Sequence, residues 1–278
     1  MTTAGRTLVG EARKLPAFFR RDLLVALSYP TAFVADWGNL LIQMVLFATV
    51  GALIQPGALG QVDGRDLSYP EFVAVGIAVA AFTQVALNRV VSSIRNEQLI
   101  GTLESVLLTP TTSITYSLGS VMYDIVYVPI RTMIFLFLVG VVLDVQLQSD
   151  GILPTVVVLL AFIPLVWGIG MVSAAATLTL RRGGGITAFF AVALTLGSTA
   201  YFPLEALPSW ARGFARQNPL TLTMDVARGT LLGDAGWELA LPAAATLLPM
   251  AAVSLALGVL AFRFALWRER RKGTLGLY

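Results

Sequence analysis

The chain contains no cysteine and no histidine. Those two absences exclude disulfides, thiolate nucleophiles, Cys/His metal sites and histidine general bases together. Charge is also scarce: only 13% of the 278 residues are Asp, Glu, Lys or Arg, against about 25% in a soluble domain. No G-x-x-x-x-G-K-[ST] run is present, so no phosphate-cradling loop is expected. The Gly-rich stretch RRGGGITAFF (181–190) lacks the lysine and a preceding soluble strand, and reads as a tight turn between spans. No secretory leader is expected either. The first thirty residues mix Arg13, Lys14, Arg20 and Arg21 with Glu11 and Asp22, and no apolar core precedes a small-residue cleavage site.

What fills the space is apolar. Hydrophobic residues make up 56% of the chain, and mean hydropathy is +0.78. A spanning helix needs roughly 20 mostly apolar residues. Six segments are candidates, at about 31–54, 71–91, 117–143, 152–179, 186–202 and 239–264. The fifth is short for a crossing. The expected fold is an all-α integral membrane protein of six spans, with no internal repeat and no soluble domain. Residues 1–30 form an interfacial region, 31–265 the transmembrane domain, and 266–278 a basic tail.

Basic residues set the orientation. With the N-terminus inside, the cytoplasmic pieces hold fourteen of the 19 Lys and Arg residues. The outer loops hold Arg65, Arg212, Arg216 and Arg228, and Arg131 lies within span three. Both termini are therefore expected in the cytoplasm. This asymmetry explains the sequence pI near 9.4 without nucleic acid. In residues 6–28, Leu8, Ala12, Leu15, Phe19 and Leu23 recur at three- and four-residue spacing between basic residues. That pattern predicts an amphipathic helix at the inner membrane interface, or one packed on protein.

Polar residues inside spans are costly and therefore candidates for function. Asp36, Asn39 and Gln43 share one face of span one. That face is expected to meet another helix or line a path. Thr83, Gln84 and Asn88 lie towards the inner end of span two. Asp124 and Arg131 share a face of span three but lie two turns apart, about 10 Å along the axis. Each is therefore expected to have another partner. Pro129, Pro154 and Pro164 suggest kinks or helix starts. The loop from Gln55 to Pro70, with Asp63 and Asp66, reads as a solvated turn.

The inner loop RNEQLIGTLESVLLTPTTSITY (95–116) is the most informative segment. Leu99, Leu103, Val106 and Leu107 fall on one helical face, Glu97 and Glu104 on another, and Pro110 stops the helix. Periodicity leaves two readings open: a helix that docks on a cytoplasmic partner, or an ordinary interfacial loop helix.

Three patches in order resemble one family, the type-2 ABC-transporter permeases, which serve the export of drugs, lipids and polysaccharides. The first is FFRRDLLVALSYPTAF (18–33), at the entry to span one. The second is Glu97, Gly101, Thr102, Leu103, Glu104, Leu107, Thr109 and Pro110. The third runs from Phe202 to Gly229. It contains Pro203, Leu204, Leu207, Pro208 and Trp210, then Asn218, Pro219, Leu220 and Thr221, then Asp225 and Arg228. The resemblance covers nearly the whole chain.

It implies a permease that pairs with a second copy and binds two copies of a separate cytoplasmic ATPase, which would hold ATP and Mg. Whether the permease pair is homo- or heteromeric stays open. The chain itself would bind no cofactor and catalyse nothing, and its surroundings would be the lipid of a bacterial-type cell membrane. The loop with Glu97, Leu99, Gly101, Thr102, Leu103, Glu104, Leu107 and Pro110 would be the coupling helix. The segment with Pro203, Leu204, Pro208, Trp210, Asn218 and Pro219 would fold into short re-entrant helices over the path, which would explain the short fifth span. The expected substrate is an amphiphile such as a drug, natural product or lipid, with a lipid-linked glycan as the alternative. The competing functions are a secondary transporter or channel, for which only Arg131 lies deep enough, and an intramembrane enzyme. The latter would lack His and Cys, and both Lys residues lie outside the spans.

Overall fold

The structure is a computed structural model that describes residues 14–51, 61–62, 65–66, 68–100, 115, 119, 122–143, 145, 147–180 and 184–272. The described elements in chain order are α1 (Leu15–Ser28), α2 (Pro30–Gly51), α3 (Tyr69–Ile100), α4 (Met122–Leu143), α5 (Ile152–Leu180), α6 (Gly184–Leu196), α7 (Ser209–Gln217), α8 (Pro219–Leu231) and α9 (Trp237–Lys272). Single 3-10 turns sit at Ser149–Gly151 and Leu204–Ala206. Between α2 and α3, two-residue strands pair antiparallel, with Gln61 opposite Asp66 and Val62 opposite Arg65. The expected solvated turn therefore contains a small hairpin. Apart from it, the described elements are helical.

Among the described residues, four helices are long and apolar enough to cross a bilayer: Tyr69–Ser93, Met122–Val142, Ser149–Thr179 and Trp237–Glu269. Two shorter apolar stretches, Trp37–Leu46 and Gly185–Leu196, fall on α2 and α6. Span four agrees with α5 at both ends to within a residue. Elsewhere the boundaries move. Span two is expected at about 71–91; the apolar stretch of α3 is Tyr69–Ser93, and the helix itself continues to Ile100. The residues after Val91 turn polar, which marks the exit from an apolar environment, but no Pro or Gly among them breaks the helix. Span five is expected to reach residue 202 and stops at Leu196. Span six is expected to end near 264 with a separate tail, but α9 continues through the basic residues to Lys272, carrying Pro242 and Pro249 inside it.

α3 is the central helix. Every residue from Glu71 to Ala80 is buried, and α2, α4, α5 and α8 all pack on it. Its start is fixed locally: the Ser68 backbone N–H and hydroxyl each donate to a Glu71 carboxylate oxygen at 2.8 Å. A Glu three residues into the helix that reaches back to the capping residue satisfies an orphan donor of the first turn.

α5 and α9 form the closest pair. A Cβ on Gly168 would collide with Ser254, and one on Gly258 would collide with the Gly168 backbone. The two backbones are thus nearly in contact, and the Ser254 hydroxyl donates to the Leu165 carbonyl at 2.7 Å. Small residues permit this approach where apolar burial cannot drive helices together. Outward-facing side chains are large and apolar: Val126, Ile130, Ile134, Phe137 and Val141 on α4, Phe189, Val192 and Leu196 on α6, and Val253, Leu257, Leu260 and Phe264 on α9.

Among the described residues, α1 begins at Leu15, just after Lys14. Leu15, Phe19 and Leu23 are half-buried on one face, as their spacing predicts. That face meets protein. Phe18 lies against Gly119, Phe19 lies 6.1 Å from Tyr123, and the helix packs on α4. Leu24, Val25 and Leu27 are the exposed apolar residues of α1 instead.

Candidate functional site

Two polar ties hold the bundle, one at the start of α3 and one about two-thirds of the way along it. Phe72 and Arg89, which mark them, are separated by about 25 Å along the helix axis, close to the hydrocarbon thickness of a bilayer.

The first tie is an ion cluster. Asp22 of α1 and Asp124 of α4 are both buried, and Arg89 of α3 reaches both. Its Nη2 donates to Asp22 Oδ2 at 2.9 Å, and its Nε lies 3.2 Å from Asp124 Oδ2. Arg21 donates to the other Asp22 oxygen at 2.8 Å. An aromatic floor lies beneath: the Arg89 guanidinium is 5.9 Å from the Tyr123 ring centroid, and Tyr123 stacks on Tyr127 at 5.0 Å. Two buried carboxylates sharing one guanidinium join three helices. Asp124 thus finds its cation on α3, not at Arg131, which is itself buried one face-repeat further along α4. Sequence reasoning assigned Arg89 to orientation and gave Asp22 no role. The available signal was Asp124 inside span three, a buried carboxylate that requires a cation from elsewhere.

The second tie is Arg228 of α8, 3% exposed. Its guanidinium donates to the Phe72 carbonyl at 3.2 Å, the Thr199 hydroxyl at 3.1 Å, and the Thr199 and Ala200 carbonyls at 2.8 and 3.4 Å. It also lies 3.6 Å from the Phe72 ring centroid. Burial lowers its pKa to about 10, an effect that Asp225 partly opposes, so it is cationic at neutral pH. Arg228 therefore takes up carbonyls that the turn after α6 leaves without helical partners. Only glycine fits where this turn meets α3: a Cβ on Gly76 would run into the Ala200 carbonyl.

Around Arg228, α8 gathers helix ends. The Thr230 hydroxyl lies 2.7 Å from that of Thr155 in the first turn of α5. The Gln148 N–H donates to the Leu231 carbonyl at 2.8 Å. Gly229 faces Leu239 at the start of α9. Asn218 caps α8, accepting from the Leu220 N–H at 2.9 Å, and its amide donates to the carbonyls of Leu194 and Gly197 at 2.8 Å each. Asn followed by Pro219 at the first helical position is a strong local start signal. Pro203 and Pro208 stand just before the 3-10 turn and α7 in the same way. Leu204 opens that turn. Trp210 projects from α7 and is exposed. The chain from Pro203 thus forms a 3-10 turn and two short helices, α7 and α8, of which α8 packs on α3, α5 and α9, while Asn218 ties the α7–α8 junction to the end of α6.

The remaining predicted positions divide. Thr83 is buried and bonds back to the Val79 carbonyl at 2.8 Å. Asn88 is exposed and donates to the Gln84 carbonyl at 2.9 Å, one turn back. Asn39 is exposed on α2, while the side chains of Asp36 and Gln43 lie outside the described residues. Glu97 and Leu99 fall on the last turns of α3, whose side chains there also lie outside the description. So do Gly101, Thr102, Leu103, Glu104, Leu107 and Pro110.

No individual curated relative matches the chain. The family model described as ABC-2 type transporter matches residues 13–232. That stretch runs from α1 through the end of α8 and contains both ties, so the chain is a membrane protein of the ABC-2 type transporter family.

Proposed function

We propose that the chain is the permease subunit of an ATP-driven exporter. Two copies form the translocation path, and two copies of a separate cytoplasmic ATPase drive it, holding ATP and Mg. The chain crosses the membrane six times with both termini in the cytoplasm, α2 and α6 being the shorter crossings. The substrate is an amphiphile, a drug, natural product or lipid.

The observation that carries this reading is α3. It belongs to a chain of this family, runs unbroken from Tyr69 to Ile100, is buried in the centre of the bundle, and leads into the Gly101–Pro110 segment. A continuous helix carries a displacement at one end to the other without a hinge. Force applied by a partner at that segment therefore reaches the core directly, and through Arg89 it reaches α1 and α4. The absence of a phosphate-loop motif in the sequence fits an ATPase on another chain. The faces bearing Asp36, Asn39 and Gln43 on α2, and Gln84 and Asn88 on α3, are the candidates for lining the path between two copies.

Co-purification with the cognate ATPase tests the coupling role. Glu104→Arg should insert normally, recover less ATPase in detergent, and lower transport. Full ATPase recovery together with unchanged transport would remove Glu104 from the coupling contact.

A further inference from the structure

The C-terminal part of α9 changes chemistry along one line. Val253, Leu257, Leu260 and Phe264 are exposed, and they share an arc of about 100° with Trp267, Arg268 and Arg271. The exposed apolar stripe therefore runs into an exposed tryptophan and then into two exposed arginines. Arg263 and Lys272, also exposed, border the arc on either side. Glu269, the acid of the same turn, is buried on the inward side.

Contacts within the arc are ordered. Phe264 stacks on Trp267 with ring centroids 5.9 Å apart, and the Arg271 guanidinium lies 4.1 Å from the Trp267 ring centroid. Helical side chains lean toward the N-terminus, so Arg271 reaches back to the level of the indole. Helix length sets that level. Trp237, at the start of α9, and Trp267 are about 45 Å apart along the axis, which matches a bilayer with its headgroups. Tryptophan favours both of those boundaries.

We infer that Trp267, Arg268 and Arg271 form a binding site for one anionic phospholipid, in the leaflet at the C-terminal end of α9. The acyl chains lie along the apolar stripe, and the headgroup phosphate accepts from the two guanidinium groups. A planar guanidinium fork matches phosphate geometry. The indole face holds Arg271 in place by cation–π attraction, so less side-chain freedom is lost on binding. Arg263 and Lys272 add to the local positive field. The sign bias that orients the spans needs only charge; an ordered aromatic–arginine pair adds selection for a headgroup. A protein below the membrane is a poorer occupant, because the arc is a flank continuous with acyl-facing residues and not the end of the helix. The inference rests on the family's membrane location and not on the exporter reading.

Native mass spectrometry of the full-length protein in nonionic detergent, titrated with phosphatidylglycerol or phosphatidylcholine, reads bound lipid directly. The parent should retain one phosphatidylglycerol per chain at about tenfold lower lipid concentration than phosphatidylcholine, as two cations at a headgroup require. Arg271→Gln should weaken that retention about fivefold. Trp267→Leu should weaken it about threefold although it removes no charge. Arg20→Gln, which removes one exposed cation from α1, should leave it unchanged. Equal retention of the two lipids by the parent would overturn the inference. So would equal losses in Arg271→Gln and Arg20→Gln with none in Trp267→Leu, the mark of a diffuse field. Displacement of phosphatidylglycerol by inorganic phosphate would point to a free-anion site, and displacement by added ATPase to a protein-docking surface; either result would overturn the lipid assignment.

Discussion

Arg89 meets Asp22 at 2.9 Å, and this contact fastens the N-terminal helix α1 to the central helix α3. Asp124 joins from α4 at 3.2 Å. The three side chains come from parts of the chain with no local reason to be adjacent, so the cluster reports tertiary structure alone. Removing the guanidinium leaves two buried carboxylates facing each other, whereas removing Asp22 leaves Arg89 with Asp124.

Arg89→Ala should therefore cost more than Asp22→Asn. Breaking a well-buried pair from one side costs about 3–5 kcal/mol. Arg89 is 31% exposed, so about 2–3 kcal/mol is expected for its loss, on the scale of charged hydrogen bonds. Asp22→Asn keeps an acceptor and should cost about 1 kcal/mol. Thermal unfolding in detergent reads both, and the double variant should be far from additive. Equal melting of Arg89→Ala and the parent would show that the cluster does not hold α1.

Arg228 makes demands that lysine cannot meet. Its planar fork serves Phe72, Thr199 and Ala200 while stacking on the Phe72 ring. Arg228→Lys should lose about 2 kcal/mol and Arg228→Ala more, because the carbonyls it serves are left unpaired in a buried site. Thr199→Val, which removes one acceptor, should lose about 1 kcal/mol. A lysine variant as stable as the parent would contradict the need for several donors on one planar group.

The α5–α9 contact predicts a contrast among glycines. Gly168→Val should push the helices apart by colliding with Ser254 and cost about 1–3 kcal/mol, as overpacking does. Gly38→Ala meets nothing within 4 Å and should be neutral or stabilising. The comparison of melting temperatures in one detergent separates close packing from a general dislike of change at glycine.

Asn218→Ala removes the α8 cap and two bonds to the end of α6. A lost cap costs about 1 kcal/mol. The carbonyls of Leu194 and Gly197 lose their donors as well, so the local effect should be larger. Hydrogen exchange around Leu194–Pro203 should speed up while α3 stays protected. Unchanged exchange there would mean that the junction is held by other contacts.

The apolar runs made the helices legible, and Asn218–Pro219 and Pro208 marked the short helices after α6. The ends of the spans were less legible. Polarity after Val91 signals leaving an apolar environment, yet only backbone chemistry ends a helix, and nothing stops α3 before Ile100. Span five looked longer than it is because Ser198, Thr199, Ala200 and Tyr201 are compatible with a helix. What ties the chain there is Arg228, 28 residues beyond Ala200, which takes up the Ala200 carbonyl. The ion cluster was illegible for the same reason. Arg89 reads as one more inward-side cation until Asp22 and Asp124 are brought beside it.

Purified permease and cognate ATPase, reconstituted together in liposomes with an amphiphilic fluorescent cargo, test the central claim most directly. The account predicts cargo flux that requires ATP hydrolysis, requires both proteins, and is indifferent to collapse of the proton gradient. Flux by the permease alone, sustained by a proton gradient without ATP, would contradict it.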